Sequence, residues 1–319
     1  KTQVAGVGLA ESYFDVLLAS ETIVLAKAKL SAFDEQLASA KRRTEFGAGT
    51  ITDIDESAAR RDLAEAELIE AQDNLINARR KLEEYIGETP ESLTTLQPGF
   101  ITPPLLPANL QDWLVRAQAD SPLIHARRYS SDLADEEVKR AKAGHWPTLD
   151  FVAGYTAGDS QSISELNQRN RYGSIGLEVN IPLYSGGGVS ALTRQASANS
   201  AKAIDELDAT RQEVISGTTR EFNGVQSGAK RVRALEKAVE SNERSLLSTR
   251  KGFKEGGTTT NSDVLNAEEL LFVARHDLFE AKLRYLMSRL RLASSVGSLG
   301  DDDIDQINDY LGPELLVTN

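Results

Sequence analysis

The sequence predicts a mainly α chain in which two long antiparallel helical hairpins flank a β-hairpin. Three observations predict it. Residues 53–87 and 263–297 repeat one another without a gap, each opening on Asp and closing on Gly. Ala64/Ala274, Leu68/Leu278, Glu70/Glu280, Ala71/Ala281, Arg79/Arg289 and Leu82/Leu292 fall in register. A repeat of this length marks one supersecondary unit used twice. None of the nine prolines lies before Pro90, and none lies between Pro182 and Pro313. Proline costs roughly 3 kcal/mol inside a helix, so the two proline-free blocks can hold long helices. Between Trp146 and Leu183 the apolar period becomes two, which is the mark of strands.

The elements follow in order. Residues 1–45 carry apolar side chains at a spacing near 3.5, with Phe14, Leu17, Leu18, Val24, Leu25, Ala28, Phe33 and Leu37 as the stripe. The run Phe46-Gly-Ala-Gly-Thr-Ile-Thr ends that helix, because glycine takes the left-handed conformation cheaply at a C-terminus. Residues 53–86 return as a second helix that Gly87 stops. Five prolines make residues 88–107 a connector. Residues 108–118, around Trp113, and 121–143 read as shorter helices.

Next come two strands. Leu149, Phe151, Ala153 and Tyr155 share one face of the first. Gly173, Ile175, Leu177, Val179, Ile181 and Leu183 share one face of the second, and the polar stretch 158–170 between them reads as a loop. After Tyr184-Ser-Gly-Gly-Gly188 a helix runs to about Phe253, and residues 261–296 return. Phe253-Lys-Glu-Gly256 echoes Phe46-Gly-Ala-Gly49 at the second turn. The tail from Gly300 is acidic and reads as partly disordered.

Composition excludes several functions. A formal net charge of -12 argues against nucleic acid, which wants a basic face. Without cysteine there is no disulfide, zinc–thiolate or thiol chemistry. His125, His145 and His276 are scattered with no metal spacing. Ser185-Gly-Gly-Gly188 lacks the Lys-Ser/Thr of a phosphate loop, and Gly6-Val-Gly8 has no strand before it. No catalytic, metal or cofactor site is predicted, and an enzyme is not expected. No run of about 18 apolar residues occurs that would cross a membrane as a helix. Lys1 opens inside a helical pattern with no signal peptide, so the chain reads as truncated at its N-terminus.

The β-hairpin needs a cover for its apolar face, because two strands alone are marginal in water. Two covers fit the pattern: protein, making a small soluble β-subdomain, or lipid. Transmembrane strands need about 9–11 residues, apolar outward and polar inward, with aromatics at the interface. Both strands meet that description, and Trp146 and Tyr184 stand where the hairpin joins the helices. Two strands leave open edges, which lipid does not tolerate, so a membrane reading requires strands from elsewhere.

Taken together these residues resemble the TolC family of outer membrane channel proteins over residues 1–300. The resemblance rests on Pro147-Thr-Leu-Asp150 before the first strand and Asn180-Ile-Pro-Leu-Tyr-Ser-Gly-Gly187 after the second. It rests also on Phe253-x-x-Gly256 followed by Asp263-Val264-Leu265-x-Ala267. It implies a homotrimer whose helices form an α-barrel tunnel across the periplasm and whose strands form a 12-stranded transmembrane β-barrel. On that pattern the chain holds the second strand hairpin and lacks the first, so three copies supply six strands. The implied divisions are a first helical hairpin (1–87), an equatorial connector with short helices (88–145) and an outer membrane β-hairpin (146–184). A second helical hairpin (185–298) and an acidic equatorial tail (299–319) complete them.

The implied function is an exit duct working with a periplasmic adaptor and an inner membrane ABC transporter or proton-driven exporter. Cargo is protein, in type I secretion, or small molecules, in efflux. The sequence looks closer to the type I secretion members, including toxin-export components.

The resemblance places the two hairpin turns at the periplasmic tip. Asp263 matches an acidic position that forms a ring at the constriction, and Asn266 stands where the family often has a second acid. Asp53 occupies the equivalent place in the first copy. Like charges across a pore raise one another's pKa and bind cations. Equally, Asp53 and Asp263 sit in first turns, where a helix dipole favours acids. Phe46, Gly49, Phe253 and Gly256 are the implied adaptor contact. Arg250, Lys251 and Lys254 are candidates to pair with Asp53, Asp55 or Glu56 across the tip, or to form a solvated face. The alternative function is a periplasmic adaptor of the same machine, though adaptors have one helical hairpin and soluble β-domains. A third reading is a structural coiled coil.

Overall fold

The computed structural model describes residues 2–88, 90, 92–97, 99–160, 168–255 and 259–316. The chain runs α1 (Thr2–Glu45), α2 (Ile51–Ile86), β1 (Ser92–Leu96), α3 (Leu110–Asp120), α4 (Pro122–Ala143), β2 (Thr148–Ser160) and β3 (Gln168–Asn180). It continues α5 (Gly188–Lys254), α6 (Asn261–Ser295), α7 (Asp301–Asn308) and β4 (Leu311–Leu316). Two compact units divide it. One comprises Lys1–Ser121 with Val214–Asn319, and the other Pro122–Glu213.

In the first unit α1 packs against both α2 and α6. The seams step by sevens, the 3.5-residue period that keeps one stripe facing its partner in supercoiled helices. Ala26, Phe33 and Ala40 are buried on α1, Ser57, Ala64 and Ala71 on α2, and Ala267, Ala274 and Ala281 on α6. Small residues dominate these rows, so the helices approach closely. Phe33, Ala64 and Leu265 meet in one cluster, with Leu30 against it. The repeat carries burial as well as sequence: both members of Ala64/Ala274, Ala71/Ala281 and Leu82/Leu292 are buried. The α1 stripe is partly the expected one: Phe14, Leu17 and Phe33 are buried, but Ala28 is exposed. Val24 is half exposed, while Ala26 and Lys29 face inward. Lys29 is accepted there because Glu67 and Glu269 take its ammonium at 2.7 and 2.8 Å.

The part of α5 from Val214 onward lies along α6 in the same unit. Three ion pairs form a ladder at seven-residue steps: Arg250–Glu268 at 2.7 Å, Glu243–Arg275 at 2.7 Å and Glu236–Lys282 at 3.9 Å. Residue numbers fall on one helix as they rise on the other, so the two run antiparallel.

The connector and the tail differ from expectation. Residues 92–96 form β1, and the tail forms α7 and then β4, which pairs antiparallel with β1. The register slips between Thr94 and Leu96, next to Gly312-Pro313, because proline has no N–H to give the ladder. Its composition hid this strand. Tyr13 of α1 donates to the Thr94 carbonyl at 2.6 Å and ties the small sheet to the helices.

The second unit holds α4, β2, β3 and the start of α5. Ser200 donates to Asp135 at 2.5 Å and Arg127 pairs with Glu206 at 3.0 Å, joining α4 to α5. β2 and β3 are antiparallel, in register from Thr148↔Asn180 to Ser160↔Gln168. The ladder therefore runs further from the helices than the apolar alternation did, and it takes in 158–160 and 168–170, which read as loop. Backbone pairing continues past the point where apolar alternation stops. At the other end β3 stops at Asn180, leaving Ile181 and Leu183 outside it, because Pro182 cannot extend a ladder.

Candidate functional site

Both helical hairpins of the first unit end in a Thr-capped turn. Gly47 has φ 73°, in the left-handed region, and the Ala48 N–H returns to the Arg43 carbonyl at 2.8 Å. A Cβ on Gly49 would lie 2.9 Å from Thr44 Oγ1 and 3.0 Å from the Thr44 backbone nitrogen, so a side chain there would make the turn shift. Thr50 then caps α2, and Thr260 caps α6 in the same way. Each Thr hydroxyl accepts from the Asp N–H three residues on, at 3.2 Å in both copies. Each Asp carboxylate accepts from the cap residue's N–H, Asp53 at 2.9 Å and Asp263 at 2.8 Å. These are reciprocal capping boxes. The Thr260 N–H, and after it the Thr260 hydroxyl, hold the exposed Asp263 carboxyl below the usual carboxylate range.

The two tips are laced to each other. Arg43 lies 4.2 Å from the Phe253 ring centroid and donates to the Phe253 carbonyl at 3.2 Å. Asn261 donates to Ser57 Oγ at 3.0 Å and accepts from Gln36 at 2.6 Å, joining α1, α2 and α6. Arg60 donates to Asn266 Oδ1 at 2.8 Å. Arg250 donates to Glu268 Oε1 through Nε at 3.1 Å and Nη2 at 2.7 Å.

Within one chain the expected ion pairs are not the ones formed. Arg250 pairs with Glu268 instead of Asp53, Asp55 or Glu56, because the antiparallel register sets those two side chains opposite one another. Lys251 pairs one turn along with Glu255, at 3.9 Å. Asp53 is taken by its own cap residue. Lys254, Asp55 and Glu56 make no ion pair among the described residues. Phe46 is 85% exposed, whereas Phe253 is partly covered by Arg43. Gly256 lies outside the described residues. Gln36, Arg43, Ser57, Arg60, Asn261 and Glu268 were not expected at the tip. For Glu268 a signal existed, since it falls in the buried row with Val264, Leu265, Ala267 and Leu271.

The β-hairpin presents the second candidate surface. Leu149 faces Val179, Phe151 faces Leu177 and Ala153 faces Ile175 across the ladder, so one face is a continuous apolar row. The other face pairs Thr148 with Asn180, Asp150 with Glu178 and Gly154 with Ser174. The apolar face is bare: Phe151 is 69%, Ile175 79% and Leu177 71% exposed. Trp146 and Tyr184, both largely exposed, flank the open end of the hairpin. Among the described residues no helix is long and apolar enough to cross a membrane, and no cluster of His, Asp or Glu could hold a metal.

Comparison with known proteins points one way. The family described as outer membrane efflux protein matches residues 1–88 and 113–298. The proteases secretion protein PrtF of Dickeya chrysanthemi is 36% identical over 307 residues, covering 94% of this chain and 66% of that protein. The alkaline protease secretion protein AprF of Pseudomonas aeruginosa is 35% identical over 299 residues, covering 93% and 62%. The outer membrane protein TolC of Escherichia coli K12 is 30% identical over 314 residues, covering 95% and 63%. The chain thus spans roughly two thirds, or slightly less, of the length of these relatives. Among solved structures, the outer membrane protein VceC of Vibrio cholerae superposes with TM-score 0.74 at 21% identity, over 92% of this chain and 70% of that one. The CmeC outer membrane channel of Campylobacter jejuni gives TM-score 0.76 at 14% identity, over 97% and 66%. The fold is that of these channels, and by the family match and these identities the chain belongs to the TolC-like outer membrane efflux protein family.

Proposed function

We propose that this protein is the outer membrane exit duct of an export machine, assembled from three copies. The observation that carries the reading is the bare apolar face of the β-hairpin. Rows of Leu, Phe, Val and Ile backed by a polar face are what a strand pair needs between lipid and a watery lumen. A contiguous apolar surface of this kind on a water-exposed strand pair would invite aggregation. Open edges require further strands, which copies and other segments of the protein would supply. Segments 1–87 and 185–298 then form the periplasmic tunnel, 146–184 the barrel strands, and 88–145 with 299–319 the equatorial belt.

Relatives named for protease secretion favour protein cargo and the type I route, with an ABC transporter and a periplasmic adaptor as partners. Efflux of small molecules through a proton-driven exporter is the other member of the same class. The adaptor reading has no support from the family match or from these relatives. No catalytic chemistry is assigned.

The tip where α1 meets α2 and α5 meets α6 is the proposed gate, with Asp263 and Asp53 facing the constriction and Asn266 one turn inside. Lys254, Asp55 and Glu56 are left to pair between copies. Phe46, Gly49, Phe253 and Gly256 form the proposed adaptor contact. Arg60 places a cation against Asn266, so the constriction carries mixed charge. Planar-bilayer recording of the full-length protein tests this. Pores are expected, with cation selectivity lowered by D263A and raised by R60A. A full-length protein that forms no pores, or selectivity that neither substitution moves, defeats the gate assignment.

A further inference from the structure

Glu268 is the one rung of the α5–α6 ladder whose carboxylate is buried. Its side chain is 2% exposed, while Glu243 and Glu236 of the other rungs are 47% and 43% exposed. Arg250 satisfies only Oε1, and Oε2 is buried with no hydrogen-bond partner. The surrounding charged groups are Arg250 and Lys254 of α5 and Glu35, Arg42 and Arg43 of α1, which line a cavity of about 410 Å³ together with Glu268. A buried oxygen without a donor costs about 1–3 kcal/mol, and more when it is charged. A proton on Oε2 removes the part of that cost that comes from the buried charge and leaves Oε1 to accept from Arg250. It turns the orphan acceptor into a donor, and Glu35 lines the same cavity as Glu268.

We propose that Glu268 is a proton-controlled latch at the tip, fastening α6 to α1 and α5 when protonated and loosening it when ionised. Burial pushes the Glu268 carboxyl above the usual range, Arg250 pulls it back, and Glu35 pushes it further up. The sign follows from linkage. If α6 parts from its neighbours, Glu268 meets water and ionises more readily than in the closed tip, so opening releases a proton. The added closure is therefore complete below the ordinary glutamate range. It is lost as pH rises through the raised pKa of the closed form. Arg250 is 44% exposed on its side chain and so can remain solvated in either state.

Hydrogen exchange of the full-length protein in detergent, followed by mass spectrometry between pH 5 and 8, tests the latch. After correction for intrinsic rates, protection of residues 246–255 and 261–272 should rise several-fold toward acid. The rise is about tenfold for each unit by which the closed and open pKa values differ. E268Q, whose amide keeps an acceptor for Arg250 and adds a donor, should give the acid level of protection at every pH. E35Q should move the midpoint to lower pH, and E243Q, on an exposed rung, should leave the response unchanged. An acid response that persists in E268Q, a midpoint unmoved in E35Q, or an E268Q tip less protected than the parent at pH 8 overturns the proposal. The readout does not depend on pore formation, so it stands or falls separately from the duct.

Discussion

At the scale of single residues, the best-defined contacts are the two capping boxes. Thr50 and Thr260 each satisfy an orphan N–H at a helix start, and each returns a hydroxyl to the aspartate it caps. Replacing Thr260 with Ala should cost about 1 kcal/mol, seen as a lower unfolding midpoint and faster exchange in the first turn of α6. The same substitution should raise the Asp263 pKa only part of the way toward its ordinary value, since alanine loses the hydroxyl but keeps the backbone N–H that depresses it most. The depressed pKa fixes the pH window. The cap's contribution is present above the ordinary aspartate range and is lost as pH falls through the lower, folded-state pKa. A ring of three such carboxylates would push the other way, each charge raising the next. Titrating Asp263 in the assembled oligomer therefore weighs the ring against the cap, and a value above the ordinary range favours the ring. Both aspartates were legible in the sequence, because a first-turn acid recurred at the same place in two copies. Arg43, Asn261 and Arg60 were not, because their partners lie more than 200 residues away and depend on inter-helix register.

Register belongs to the scale of elements. The long helices were legible because their apolar spacing and the proline map agree, and α1, α2, α5 and α6 end within two residues of where turn residues placed them. What spacing could not reveal is which small residues face inward. Ala26, Ala40, Ala64 and Ala71 are buried while Val24 and Leu63 are exposed. A stripe drawn from large apolar residues therefore catches Phe14, Leu17 and Phe33 but misses the alanines of the seam, which a close helix approach selects. A71L, at a site 3% exposed, should force α2 away from its neighbours and cost about 1–3 kcal/mol. L63A, at a site 62% exposed, should change stability by less than about 0.5 kcal/mol. Chemical denaturation of both variants checks the contrast, and equal effects would mean that the seam lies elsewhere. The small β1–β4 sheet escaped sequence reading for a related reason. One strand sits among prolines and the other contains one, so neither shows a clean period of two.

At the scale of the whole molecule, the question is what lies against the β-hairpin. The alternation of Leu149, Phe151, Leu177 and Val179 was readable, and the ladder pairs them on one face as that alternation requires. Pattern alone, however, left lipid and protein as equal covers. The decisive contrast lies between the faces. Leu177 sits opposite Phe151 in the middle of the apolar row, and Ser174 sits opposite Gly154 on the other side. In lipid, L177R should cost about 2–4 kcal/mol near the bilayer midplane, reducing both the yield of membrane-assembled oligomer and its resistance to urea in lipid vesicles. S174R points to the lumen and should change assembly little while altering conductance. On a hairpin standing in water the two substitutions would be equivalent, since isolated surface changes stay within about 0.5 kcal/mol. An L177R protein that assembles in vesicles as well as S174R therefore removes the lipid from the β-hairpin and the duct from the proposal. A selective loss in L177R places strands β2 and β3 in the bilayer.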